Sequence, residues 1–218
     1  MRTQSSNLLA EILMIVVGIN VALWFEDWFQ QRENRATEIR YLQDLKVDLE
    51  ADIEVLAKLV DWTARKSEKS EQLSRQVANF ADLPADRLAA IIHFPSSYQF
   101  FTPSDFTYRS MQESGDFRLL TSEAIKRGIL RLDRTHGAIA ELQENYLRAL
   151  DDAYLPLMMT HFDIATGQLT DASLLDKQLF RNFFPYIAND TAAMSQLYGK
   201  ALADSRQLIA LINDEISG

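Results

Sequence analysis

The sequence predicts an all-α protein: an N-terminal transmembrane helix followed by a long-helix antiparallel bundle. Three observations predict it: an apolar opening, few chain-turning residues, and apolar side chains at helical spacing over most of the remainder. Only 7 Gly and 5 Pro occur in 218 residues, whereas an all-β chain of this length needs many turns. Hydrophobic residues make up 47% of the chain, enough to bury a core and to exclude wholesale disorder. The expected division is residues 1–29 as the anchor and residues 30–218 as a soluble all-helical domain.

The anchor is the stretch from Leu8 to Phe29. As a helix it runs roughly 33 Å, enough to cross a hydrocarbon core. Trp24, Phe25, Trp28 and Phe29 cluster at its end, where an aromatic belt meets the headgroups. Gly18 and Ala22 form a small-xxx-small pair that lets another backbone come close, and Glu11 shares their face. Asn20 lies opposite; it and Glu11 are costly in lipid, so each is expected to face protein or the interface. Glu11, Gly18, Asn20 and Ala22 are therefore the candidate helix-packing residues. A cleaved signal peptide and a buried helix of a soluble domain are the alternatives; against the first, cutting after Ala22 puts Asn20 at the −3 position.

From Gln30 to Ala81 there is no Gly or Pro, and Leu42, Leu45, Leu49, Ile53, Leu56 and Leu59 recur three and four apart. The stripe resumes at Leu73, Val77 and Phe80 after a polar stretch, Arg65 to Gln72, where a bend or break is expected. Asp52 interrupts a strict heptad and favours packing within the chain over a coiled coil between chains. A stalk and a bundle helix both remain open for this segment. Pro84 opens a short helix to His93 with Asp82 as its cap, and Phe94 to Thr102 is an aromatic-rich loop. Thr102 caps the next helix, which stops at Gly115. Thr121 caps a long one that reaches Pro156, where a kink or end is expected. Asp163 to Thr170 is a loop, Asp171 caps a short helix ending near Phe184, and the last helix opens at Pro185. No segment reads as a strand.

Charge and chemistry narrow the function. The net charge is −9, of which residues 1–29 hold −2 and the remainder −7. A domain so acidic lacks the footprint of a nucleic-acid binder and of a peripheral protein held to anionic lipid by basic residues. With no Cys, thiolate catalysis, disulfides and Cys-based metal sites are excluded. His93, His136 and His161 form no metal-binding spacing, and the acids Glu141, Glu144, Asp151 and Asp152 lack the E-x-x-H partners of di-metal bundles. No nucleophile elbow, phosphate loop or dinucleotide fingerprint occurs. No enzyme activity, metal or cofactor is expected. Tyr98, Phe100 and Phe101 either plug the open end of the bundle or form a partner-binding loop.

The run from Glu11 to Arg32 resembles the opening of a family of short bacterial single-pass membrane proteins of unknown function, with the pattern E-I-x-x-x-x-x-G-I-x-x-A-L-x-x-x-x-W-x-x-x-R. The matching positions are Glu11, Ile12, Gly18, Ile19, Ala22, Leu23, Trp28 and Arg32. A second stretch, Tyr108, Met111, Ser114, Gly115 and Leu119-Leu120, is similar to a Y-x-x-L-x-x-S-G-x-x-x-L-I motif of that family. The resemblance implies an inner-membrane anchor and a helical domain on the periplasmic side, and no activity. Charge alone leans the other way, since Arg32, Arg35 and Arg40 follow the span and only Arg2 precedes it.

The function expected is that of a structural or scaffolding homo-oligomer, in contact with the lipid bilayer. The alternative is a sensory or partner-binding extracytoplasmic domain that signals through another membrane protein.

Overall fold

The computed structural model describes residues 2–163 and 165–217, with side chains from residue 13 onward. Helix α1 spans Arg2–Gln76 without a break, 75 residues and about 110 Å. Short 3₁₀ turns and α2 (Ala85–His93) close one end of the molecule. The chain returns through an extended stretch and α3 (Phe106–Ser114), rises again as α4 (Glu123–Ala149) and α5 (Leu155–His161), and comes back as α6 (Gln178–Ser217). The protein is all-α apart from a two-residue hairpin, β1 (Phe162–Asp163) paired with β2 (Gln168–Leu169), in what the sequence marks as a plain loop.

One repeat organises the bundle. On α1 the buried residues are Glu38, Leu42, Leu45, Leu49, Asp52, Leu56, Leu59, Thr63, Lys66, Ser70 and Leu73. Their spacing alternates three and four, so one seam of the helix faces inward over ten turns. On α6 the same alternation runs through Phe180, Phe184, Ile187, Thr191, Met194, Tyr198, Ala201, Ser205, Leu208 and Ile212. The two helices form the largest interface in the molecule and are antiparallel: Arg35 meets Glu215, Lys46 meets Asn213, and Ser67 meets Ala188. Helix α4 also runs antiparallel to α6, with Arg131 on Asp204 and Thr135 on Lys200. A Cβ on Gly128 of α4 would lie 2.9 Å from Leu208 Cδ1, so the bare glycine permits that approach.

The polar stretch Arg65–Gln72 does not break α1. Lys66 and Ser70 occupy seam positions and are buried, and their polar groups find partners, so the helix continues straight through. The segment beyond Gln30 is the core helix of the bundle and at the same time a continuation of the apolar opening.

The fourth string of the bundle is the irregular return, residues 94–121. Its backbone lacks a helical ladder over much of its length and needs other partners. Helix α1 supplies them. Glu38 accepts from Thr121 N at 2.5 Å, Asp52 accepts from Ser104 N at 2.9 Å, and Lys66 donates to the carbonyls of Pro95, at 3.4 Å, and Ser97. Asp48 adds a bond from Thr107 N at 3.1 Å. Glu38, Asp52 and Lys66 are two heptads apart, so three ionisable side chains on one line of α1 pin three points of the returning chain. The acids take N–H groups and the lysine takes C=O groups.

This pairing accounts for two of three corrections to the capping assignments. Helix α3 starts at Phe106: Asp52 takes the Ser104 N–H that a Thr102 cap would serve, and Asp48 takes the Thr107 N–H in the first turn of α3. Helix α4 is capped by Ser122, whose Oγ accepts from Ile125 N, while Thr121 is engaged by Glu38. Asp82 caps nothing: Pro84 precedes α2, and no side-chain cap forms there. Gly115 ends α3 at φ +77°, as its position in the sequence predicts.

The two internal prolines are absorbed differently. Before Pro156, residues Leu150–Tyr154 widen into a π-helical turn, which takes up the lost donor and the ring clash between α4 and α5. Pro185 does not open the last helix but lies inside α6. A proline in a helix interior costs about 3 kcal/mol. Phe180, Phe183, Phe184 and Ile187 are all buried around it, at ~1.5–3 kcal/mol each, which outweighs that cost.

Candidate functional site

Residues 13–29 of α1 are exposed at every position. No other described residue covers them, unlike the core helix of a soluble domain. This is the one stretch among the described residues long and apolar enough to cross a membrane. A Cβ on Gly18 would meet no atom within 4 Å, so the Gly18 and Ala22 face is open. Asn20 turns its amide onto its own helix, donating to Val16 O at 2.7 Å, which satisfies one of its donors without a neighbour. The Glu11 side chain lies outside the described residues. Trp24 and Phe25 meet edge to face at 5.3 Å, Trp28 and Phe29 at 5.1 Å, and the Arg32 guanidinium sits 4.5 Å over the Trp28 ring. That stack joins an aromatic to the first cation beyond the apolar segment.

The principal buried polar centre surrounds Lys66. Its ammonium donates to the carbonyls of Pro95 and Ser97 and to Tyr146 Oη at 2.9 Å, so three acceptors serve three protons. The faces of Trp62, Phe94 and Tyr146 lie 5.1–5.4 Å from Nζ, within the range of cation–π attraction. Tyr146 passes its own proton to Pro95 O at 2.7 Å. Burial pushes Lys66 down to about 8, with the Asp190 charge opposing that shift. A fully coordinated ammonium has no lone pair to offer as a base or nucleophile. Its role in this arrangement is to fasten the irregular segment to α1.

The aromatic loop is part of that fastening. Tyr98 stacks on Phe100 at 4.8 Å, and both rings reach Tyr146. Phe101 is buried, and the Gln143 side chain on α4 bonds its N–H at 2.8 Å and its C=O at 3.0 Å like a missing strand. The loop therefore lies between Lys66 of α1 and Gln143 of α4. Tyr98 alone of the three is exposed.

Two ionisable side chains have a buried polar atom without a partner among the described residues, as does the Ser205 hydroxyl. One is Asp190 Oδ2 on α6, near Lys66 but not in contact with it; burial pushes this carboxyl up to about 6, and Lys66 opposes the shift. The other is His136 Nε2, in a cavity of about 60 Å³ that Asp52, Asp105, Asp133 and Tyr108 also line. Burial lowers the His136 pKa and raises that of Asp52. Among the described residues no His, Asp or Glu cluster is arranged to hold a metal. His161 uses Nδ1 on Leu157 O at 3.0 Å and lies 3.6 Å from Asp171, not Asp163, so it satisfies a helix end.

Residues 11–152 match the family of unknown function DUF6090. The chain belongs to that family. No curated protein and no solved structure matches it. The DUF6090 match begins inside the apolar segment and ends in the π-helical turn, so it takes in all three pinning residues of α1 and their partners. Asp190, Tyr198 and Glu215 of α6 lie beyond it. Sequence reasoning assigns no site role to Glu38, Asp52, Lys66 or Asp190, and marks Asp52 only as a break in the heptad; the first three continue the alternation of three and four set by the leucines of α1.

The Asp190 carboxyl has a testable consequence for this DUF6090 member. Its pKa is raised in the folded chain, so the native state holds more protons than the unfolded chain from about pH 4 to 6. Its contribution to stability therefore falls as pH rises through that window. Asp190→Asn should remove this slope and stabilise the protein at pH 7 by about 1 kcal/mol, the value expected after discounting for partial exposure. Thermal melts at pH 4 and pH 7 check it; an unchanged slope would sink the assignment.

Proposed function

We propose that this DUF6090 protein is a membrane-anchored scaffold that acts by binding rather than by catalysis, and that its apolar helices associate into a homo-oligomer. The observation that carries this reading is the continuity of α1. An uncovered apolar segment, open at Gly18 and Ala22, runs without a hinge into the central helix of the bundle. Pairing at that segment fixes where each bundle points, which is what a scaffold requires. Close backbone approach at small residues is a known basis of helix association in lipid. The bilayer covers the remaining faces, with Trp24, Phe25, Trp28 and Phe29 at the headgroups. The domain stands on the periplasmic side of an inner membrane in this proposal.

Gly18→Leu should convert the oligomer to monomer, read by sedimentation or chemical crosslinking in detergent and again in lipid nanodiscs. A single monomeric species for both wild type and variant would end the proposal. Recovery from membranes of a different membrane protein, with no self-association, would favour a receptor-like role.

A further inference from the structure

At the end of the bundle opposite the apolar segment, α2 and the last turns of α1 enclose a groove of about 380 Å³. Leu73, Leu83, Ile91 and Phe94 make its apolar walls, and Lys69 and Arg87 contribute the cations. Both basic residues are exposed, and among the described residues neither pairs with a carboxylate; Glu71, nearby on α1, is taken by Arg75 at 3.6 Å. Two free cations beside an apolar slot stand out on a chain of net charge −9. The slot has the volume of a small-molecule site.

We propose that this groove binds a free amphiphilic carboxylate, with its apolar tail against Leu73, Ile91 and Phe94 and its head between Lys69 and Arg87. The guanidinium fork of Arg87 suits a planar carboxylate, and Lys69 adds a second point charge. A single anionic head can lie between the two cations while its one tail covers the apolar walls. The groove lies 44 residues beyond Phe29, about 65 Å along α1, so lipids of the bilayer that would hold the apolar segment do not reach it. The ligand is accordingly a dissolved monomer. This site is independent of the oligomer proposal, since none of its residues lies on the apolar segment.

Photoreactive octanoate, added to the full-length protein in nanodiscs, tests the site, with the labelled peptides mapped by mass spectrometry. Saturable labelling should fall within residues 69–94. Unlabelled octanoate should compete and octylammonium should not. The double substitution Lys69→Glu with Arg87→Glu should reduce labelling at least tenfold. Ala90→Trp, which fills the groove without changing charge, should do the same. Arg127→Glu, an exposed reversal at the start of α4, should leave it unchanged. Labelling confined to residues 13–29, equal competition by octylammonium, or full labelling of the double variant with an unaltered thermal melt would overturn the proposal.

Discussion

Lys66→Ala should destabilise the protein by about 3 kcal/mol, the cost of taking one partner from a buried charged network and leaving a void. Alanine leaves the Ser97 carbonyl without its donor, takes one of two donors from Pro95 O, and empties the cage of Trp62, Phe94 and Tyr146. Lys66→Met should cost only about 1 kcal/mol, because its chain refills the cage, Tyr146 still donates to Pro95 O, and water reaches exposed Ser97. The pH behaviour separates charge from packing. The folded-state pKa of Lys66 is about 8, below the 10.5 of a free lysine. Between these values the unfolded chain holds more protons, so stability rises with pH through that window and is flat with respect to Lys66 below it. Lys66→Met should abolish this rise. Urea unfolding at pH 7.5 and pH 10, followed by circular dichroism, measures both effects. Amide exchange in residues 94–101 should quicken in the alanine variant. A loss below 1 kcal/mol for alanine would mean that the segment is held by its aromatic residues and not by the ammonium.

The division between what the sequence discloses and what it hides follows from the kind of contact involved. Leucine spacing on α1 identifies a buried stripe, and the helical ends at Gly115 and Ser114 follow from local backbone chemistry. These are one-residue or one-turn properties. The path of residues 94–121 is different, because its hydrogen-bond partners lie 29 to 83 positions away, at Lys66 and Glu38. Local rules therefore assign Thr102 and Thr121 as caps, although distant carboxylates already serve that stretch of chain. The same rules stop a helix at Pro185, because the four large apolar residues that hold it together only outweigh proline once α1 is packed against them. Lys66 shows the limit most clearly. By composition, Arg65 to Gln72 is a solvated stretch, whereas by phase Lys66 falls seven residues from both Leu59 and Leu73, which is a core position. Phase was the better guide: a long helix in a bundle keeps its seam even where the side chain is charged, provided a partner with unpaired backbone groups lies opposite. The open face at Gly18 and Ala22 is legible as a motif alone, since nothing in the chain packs against it.

Glu38→Ala should cost about 3 kcal/mol and loosen the end of the bundle nearest the apolar segment. Glu38 is 1% exposed and accepts from Thr121 N at 2.5 Å, Thr121 Oγ at 2.8 Å and Arg35 at 2.7 Å. Arg35 in turn holds Glu215 by its side chain at 2.8 Å and its backbone carbonyl at 3.0 Å. One carboxylate thus joins α1, the entry to α4 and the last turn of α6. Its removal takes the acceptor from the Thr121 N–H and loses the charge-assisted bond that orients Arg35. Burial by itself raises the Glu38 pKa, but the bonds from Thr121 and Arg35 outweigh it and hold the carboxyl below the usual range. The stabilisation is therefore present above the ordinary glutamate pKa and is lost as pH falls through the lower folded-state value. Glu38→Gln should keep the Thr121 bonds, lose the charge, and fall between wild type and alanine. Hydrogen exchange should accelerate in residues 208–217 of the alanine variant, while the Lys66 end keeps its protection. If both ends loosened equally, the three pinning points would act as one cooperative unit and the independent attachment argued for Glu38 would be wrong. Loosening confined to the Glu38 end would mean that orientation of the bundle on the apolar segment is set locally, by this carboxylate and the helix that carries it.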